Sequence, residues 1–385
     1  MIRLRPWMLV TALSVFSANP VFATDYAVGT CKPGLKSFTT ISAAVAAAPA
    51  GSTVYVCPGT YAEQVEISQP LSLVGLSSGQ SDQAIIAAPS GMKANTTTAA
   101  GSPLAAQVLV TTGPVNIKRI TVDGSANGLD GSVQLAGIYF GSGASGDIAG
   151  VTTRNQLNGG DGVGIFVENG DAESDIVTIA DSSIHDFDFV GLWLNGNVNA
   201  TVQRSFVNGA NAGGFAYAVL VAYPDNRTVA TIKNNVVTGP GSNLDAQGIT
   251  VNTASATVNS NTLTNWYYGL VDFGPASYMF NSTRDSKIAF NMGVPGGSFQ
   301  SNSMLQSFVA VDFNCNSGTV SGNTINDASF AMYLSAPGPD PSNTLANVAT
   351  IQNGGCGTAA RPARSSTAFN VNGQSLKQAL RGGKP

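Results

Sequence analysis

Four short apolar segments recur at one fixed spacing: Gly137-Ile138-Tyr139-Phe140, Gly164-Ile165-Phe166-Val167, Gly191-Leu192-Trp193-Leu194 and Ala218-Val219-Leu220-Val221. Each begins 27 residues after the one before it. A period in the twenties marks a solenoid, in which every repeat adds one turn to a continuous core. The unit is too short and too rich in Gly and Asn for a pair of helices. Its apolar runs are β-branched or aromatic, which suits short strands separated by turns. The chain is therefore expected to coil as parallel β-strands.

A second series interleaves with the first. Thr178-Ile179, Thr201-Val202, Thr231-Ile232, Thr257-Val258, Lys287-Ile288 and Thr319-Val320 each stand three residues before a small polar residue. Those residues are Ser182, Ser205, Asn235, Asn261, Asn291 and Asn323. One falls between each pair of successive apolar strands, as it must if every coil passes each corner once. Stacked Asn side chains can bond up and down a column while tolerating a left-handed turn. With this ladder the chain resembles the right-handed parallel β-helix proteins of the pectate-lyase-like superfamily. The resemblance covers roughly the whole chain after its leader. It implies an all-β, single-stranded right-handed parallel β-helix with a short N-terminal capping helix.

Residues 1–23 read as a secretory signal. Arg3 and Arg5 are basic, Trp7 to Phe16 is apolar, and Val21-Phe22-Ala23 offers a small-residue cleavage site. The apolar run is too short to span a bilayer, so no membrane anchor is expected once the signal is removed. A secreted or periplasmic location follows. Charged residues are only 10% of the chain, while 43% is apolar, a balance that excludes disorder. Without Arg3 and Arg5 the formal charge falls from −4 to −6. Five cations and no carboxylates follow residue 360, which leaves the body at −11 and argues against nucleic acid as a partner. Residues 24–356 are read as the β-helix domain and 357–385 as an irregular basic tail.

The four cysteines are Cys31, Cys57, Cys315 and Cys356. Three pairings exist. Cys31–Cys57 with Cys315–Cys356 would staple the two ends of the solenoid. Zinc is disfavoured by the absence of a CxxC spacing and by the single histidine. Thr39 or Thr40 can cap an Ala-rich helix with Ile41 and Val45 on one face and Pro49 at its end. The order Phe-Thr-Thr-Ile, Ala-rich helix, Pro-Gly-Thr-Tyr-x-Glu-x-Val-x-Ile and Leu-x-Gly is similar to the opening of pectin methylesterases. There it builds the cap and first coil, so the resemblance implies a structural role for Glu63.

Chemistry is less legible. Pectin methylesterases use an Asp-Phe-Ile-Phe-Gly and a Leu-Gly-Arg-Pro-Trp motif; Asp272-Phe273-Gly274 is a fragment of the first, and the second is missing. The Gly-His-Gly and Arg-Ile-Lys of polygalacturonases do not occur. Asp161 and Asp188 hold the same place in successive coils, about 4.8 Å apart if stacked. They are candidates for a calcium site, against the plainer reading of solvated turn residues. Calcium is the only cofactor the pattern brings forward. His185 is the only histidine, and Asp186 is expected on the opposite side of an extended strand.

Alternation along the repeated strand gives an outward row of Tyr139, Phe166, Trp193, Leu220 and Thr250, continued by Asp272 and Asp312 through two Val-Asp-Phe triplets. Tyr139, Phe166 and Trp193 are candidate sugar-binding residues. Asp272 and Asp312, expected outward on adjacent coils, are candidate catalytic carboxylates or calcium ligands. The alternative is that loops such as 275–297 cover the aromatics as a satellite core. The function expected is binding of an extracellular or cell-wall polysaccharide along the strand face. A lyase or hydrolase acting on an acidic glycan, or a structural surface protein, are the alternatives.

Overall fold

The structure is a computed structural model and describes residues 23–76, 84–222, 227–252, 255–274, 276–335, 340–354 and 356. The expected signal, apart from Ala23, and the expected basic tail lie outside the described residues.

A coil consists of three strands, as in Asp175–Ala180, Ser183–His185 and Val190–Gly196. The first strand of each coil joins a 13-stranded sheet; the short and long strands line up beside those of the next coil. All of these pairings are parallel, and parallel crossovers wind right-handed. Ile138 pairs with Ile165, Ile165 with Leu192 and Leu192 with Val219, so the 27-residue period is the coil length. These residues point inward into one core that runs from Tyr26 to Met332.

The glycines that open the repeat have a steric cause. A Cβ on Gly164 would lie 2.5 Å from the carbonyl oxygen of Gly191, and one on Gly248 would lie 2.4 Å from that of Gly269. The strand bends at this point and neighbouring backbones approach too closely for a side chain.

The ladder exists, with different members. Asn235, Asn261, Asn281, Asn302 and Asn323 each donate Nδ2 to the Oδ1 of the next, at 2.9–3.1 Å, and the column ends at Asn343. Ser182 and Ser205 extend it backwards through backbone donors. The left-handed conformation falls on the residue before each ladder position from Ser182 to Asn323, including Asp181, Asn234 and even Phe280. Asn291 is not in the column: it lies in the long strand Ile288–Met292. Ladder spacing drops to 20 or 21 residues past Asn261, so the wider gap between the Val-Asp-Phe triplets, 272–312, is ordinary coil and not one long loop.

Both ends are closed as expected. The helix α1, Ile41–Ala47, buries Ile41, Ala44 and Val45 and is capped by Thr40. Glu63 accepts the amides of Ile41 at 2.8 Å and Ser42 at 2.9 Å, a structural use of that carboxylate at a helix start. Disulfides join Cys31 to Cys57 and Cys315 to Cys356. No described helix is long and apolar enough to cross a membrane.

Candidate functional site

The outward row begins as expected and then departs from expectation. Tyr139, Phe166, Trp193, Leu220 and Thr250 are successive partners, but Thr250 pairs with Val271, followed by Asn291, Asp312 and Tyr333. Asp272 pairs with Val251 and Met292, in the inward row. A complete coil separates Asp272 from Asp312, and they project to opposite sides of the sheet. No carboxylate pair forms.

An ionised carboxylate facing inward without partners is costly. Asp272 escapes that cost by holding its proton. It is fully buried; its Oδ1 lies 3.3 Å from the Gly274 amide and 3.4 Å from the Tyr278 hydroxyl. Its Oδ2 has no partner. Burial, only partly offset by those two donors, pushes its pKa up to about 7. Asp312 faces outward, 7% exposed, and its Oδ1 accepts the Asn314 amide at 3.0 Å.

The aromatic strip is stacked but covered. Phe166 and Trp193 lie with centroids 4.4 Å apart and planes 9° from parallel; Tyr139 tilts against Phe166 at 5.2 Å. Their exposures are 0%, 7% and 4% for Phe166, Trp193 and Tyr139, so they form a satellite core with Leu109, Phe189 and Tyr217. The segment expected to cover them does not, because 276–292 supplies strands of ordinary coils. Phe189 packs edge-on against Trp193 instead, and a hairpin tip at 98–102 lies at the end of the strip. Thr97 pairs with Pro103, level with the start of the neighbouring strands, yet the Ala99 amide donates to Glu168 Oε2 at 2.8 Å. Glu168 is six residues beyond Gly162 on its strand, on the order of 20 Å at about 3.3 Å per residue. The tip therefore reaches back to a carboxylate that also accepts from the Tyr139 hydroxyl. Glu168 accepts from Asn195 Nδ2 as well, while its burial raises its pKa.

The Asp188 carboxylate is turned towards backbone donors. Both oxygens of Asp188 accept backbone amides of the 158–162 loop: Asn158 at 2.8 Å, and Gly160 and Gly162 at 2.6 Å. Asp161 belongs to that loop, and its carbonyl accepts the Leu135 amide. Among the described residues no group of three His, Cys, Asp or Glu is placed to hold a metal ion.

Two other groups escaped the sequence reading. Asp186 adopts a left-handed conformation, φ 54°, which swings its Oδ2 to 2.6 Å from His185 Nδ1. Its Oδ1 accepts Asn211 Nδ2 at 2.5 Å. On the neighbouring coil Arg154 Nε donates to Asp123 at 2.8 Å. Donors from Asn155, Arg154 and Ser125 outweigh burial and hold the Asp123 pKa at about 2.

The second group is aromatic and accessible. In the downstream coils Tyr268, Ile288, Val309 and Phe330 are successive partners along the leading edge of the long strands. Phe308, 53% exposed, meets Phe330 edge-on at 5.5 Å, and Phe330 meets Tyr333 at 5.4 Å. Tyr267 packs on Tyr268, with Lys287 Nζ 4.3 Å above its ring. Asn291 and Asp312 lie on the same outer face, two rows in. The sequence held a signal for this group: Tyr268 and Phe330 directly precede Gly269 and Ala331, members of the repeat's opening position.

No protein-family model matches the chain, and no curated protein matches it. Solved structures resemble it in shape. The A-module of a mannuronan C-5 epimerase from Azotobacter vinelandii matches at 16% identity and a TM-score of 0.42, covering 81% of this chain and 94% of that one. The catalytic unit of a GH87 alpha-1,3-glucanase from Streptomyces thermodiastaticus matches at 16% identity and 0.41, covering 80% and 65%. Pectin methylesterase PemA from Erwinia chrysanthemi matches at 13% identity and 0.29, covering 86% and 88%. Three parallel strands per coil, an internal asparagine column and a helical N-terminal cap make this chain a right-handed parallel β-helix.

Proposed function

We propose that the protein is exported and binds a neutral extracellular polysaccharide along the outer face of its downstream long strands. One observation carries this reading: the accessible cluster of Phe308, Phe330 and Tyr333 at the downstream long strands. Exposed aromatic faces suit the apolar faces of sugar rings. A body charge of −11 disfavours polyanions at long range, which argues for a neutral chain. Two disulfides suit an oxidising compartment. A glycoside hydrolase built on Asp272 and Asp312 would need both carboxylates facing one substrate, and the two do not share a face.

Titration calorimetry with soluble neutral glucans and with polygalacturonate tests the proposal. Phe308→Ala is expected to weaken glucan binding about tenfold, equivalent to about 1.4 kcal/mol. Equal binding by the variant, or binding confined to polygalacturonate, would count against this face and this class. Absence of binding to every polymer would favour a structural role.

A further inference from the structure

The two ends of the solenoid are closed unequally. At the N-terminal end Ile41, Ala44 and Val45 of α1 lie against the core and are buried. At the other end Thr344–Ala346 and Thr350–Asn353 pair with Thr324–Tyr333 and are the last described strands. Leu345 continues the inward row of Ile325, and with Val348 it packs on the core, yet both stay partly exposed. Ile351, in the last strand, is 51% exposed. A stack of coils needs a terminal unit with a polar outer side, because the last coil otherwise turns its apolar side to water.

Residues 357–385, expected as an irregular tail, contain one stretch whose sequence repeats the pattern of the first cap. In α1 the N-cap is Thr40, Ile41 follows it, and Ala44 and Val45 come three and four residues later. In the tail Ser375 stands before Leu376, and Ala379 and Leu380 come three and four residues later. Ser and Thr both serve as N-caps, and this spacing sets three apolar side chains on one helical face. Gly382 stands where such a helix would stop. Lys377 and Arg381 are two of the tail's five cations, and Asp327 and Asp340 are exposed on the last coils of an acidic body. The Cys315–Cys356 disulfide holds the start of the tail at this end. Residues 357–374, at up to about 3.3 Å each, are long enough to reach any part of it.

We infer that residues 375–381 form a second capping helix that docks on the open C-terminal end, with Leu376, Ala379 and Leu380 over Leu345 and Val348. The occupant is this chain's own tail. The disulfide keeps that segment at high effective concentration beside the end, whereas a second copy would bring two acidic bodies together. The docked helix keeps Lys377 and Arg381 off its buried face.

Hydrogen exchange followed by mass spectrometry on the full-length protein tests the cap, with Leu376→Asp and Leu380→Asp combined in one variant. Burying one leucine is worth about a factor of ten or more in an equilibrium. Exchange in 344–353 should therefore quicken at least about tenfold in the variant, while Ile41–Ala47 keeps its parent rate. Leu376→Met with Leu380→Met preserves an apolar face and should exchange as the parent does. Equal rates in 344–353 for the parent and the Asp variant would overturn the proposal. Quickening spread evenly along the chain would overturn it too, because a cap protects its own end. Sedimentation velocity separates the remaining occupant: a parent that sediments as a dimer, with 344–353 exchanging faster on dilution, would give the end to a second copy and not to the tail.

Discussion

A carboxyl group without adequate hydrogen-bond donors keeps its proton when buried, and Asp272 is such a group. Its folded pKa of about 7 lies above the roughly 3.9 of an unfolded chain, so the sign of its effect is fixed. Below about pH 4 both states are protonated and Asp272 contributes no pH dependence. As pH rises towards 7 the unfolded chain releases the proton and the folded protein does not, so stability falls. Above 7 the full penalty applies, at most on the order of 4 kcal/mol for three units. Asp272→Asn should therefore raise stability at pH 8 by about 2–4 kcal/mol and leave it little changed at pH 4. Urea unfolding of both proteins at the two pH values measures this, and an equal change at both would refute it. Asp123 works in the other direction. Its folded pKa of about 2 gives stability that is present above about pH 4 and lost as pH falls through 2. That Asp272 faces inward was partly legible: Gly248 to Gly269 is a step of 21 residues, which carries Thr250 to Val271. The Val-Asp-Phe likeness concealed it. What no residue pattern reveals is a protonated carboxyl in the core, because its pKa depends on neighbours supplied by other coils.

At the scale of elements, the ladder stabilises the turn between first and short strands. Asn281 Nδ2 donates to the Val258 carbonyl at 2.9 Å and to Asn302 Oδ1 at 3.1 Å, while its Oδ1 accepts both the backbone amide and Nδ2 of Asn261. Replacing it leaves buried donors and an acceptor unsatisfied, each costing about 1–3 kcal/mol. Asn281→Ala should lower stability by about 3 kcal/mol, whereas Asn291→Ala, outside the column, should cost less than about 1 kcal/mol. Thermal or urea unfolding checks both, and a reversed order would contradict the coil register. The helix end shows the same logic on a smaller scale: Glu63 binds two amides that α1 cannot satisfy internally. Period and cap were readable because they depend on neighbours within one coil. The ladder members Asn281, Asn302 and Asn343 were missed because downstream coils shorten to 20 or 21 residues, and one Asn in a long strand mimicked the pattern.

For the whole molecule, stability is distributed along a quasi-one-dimensional stack, so the ends are the places where unfolding begins. Cys315–Cys356 ties the last described residue back to the coil that carries Asp312. Replacing both cysteines by Ser should remove about 2–4 kcal/mol locally. Hydrogen exchange should then quicken in 319–353 and stay unchanged in Ile41–Ala47; uniform quickening would mean that the stack unfolds as one unit. The fold, the two staples and the capping helix were determined by the sequence itself, because strand alternation, coil length and turn chemistry are properties of short segments repeated many times. The candidate site was not. Whether an outward aromatic meets solvent or joins a covered core depends on residues such as Leu109, Phe189 and Tyr217, which pack against the strip from other coils and turns. Only the tertiary structure decides which outward side chains meet solvent, because burial is set by what other segments lay across a face and not by the face's own pattern.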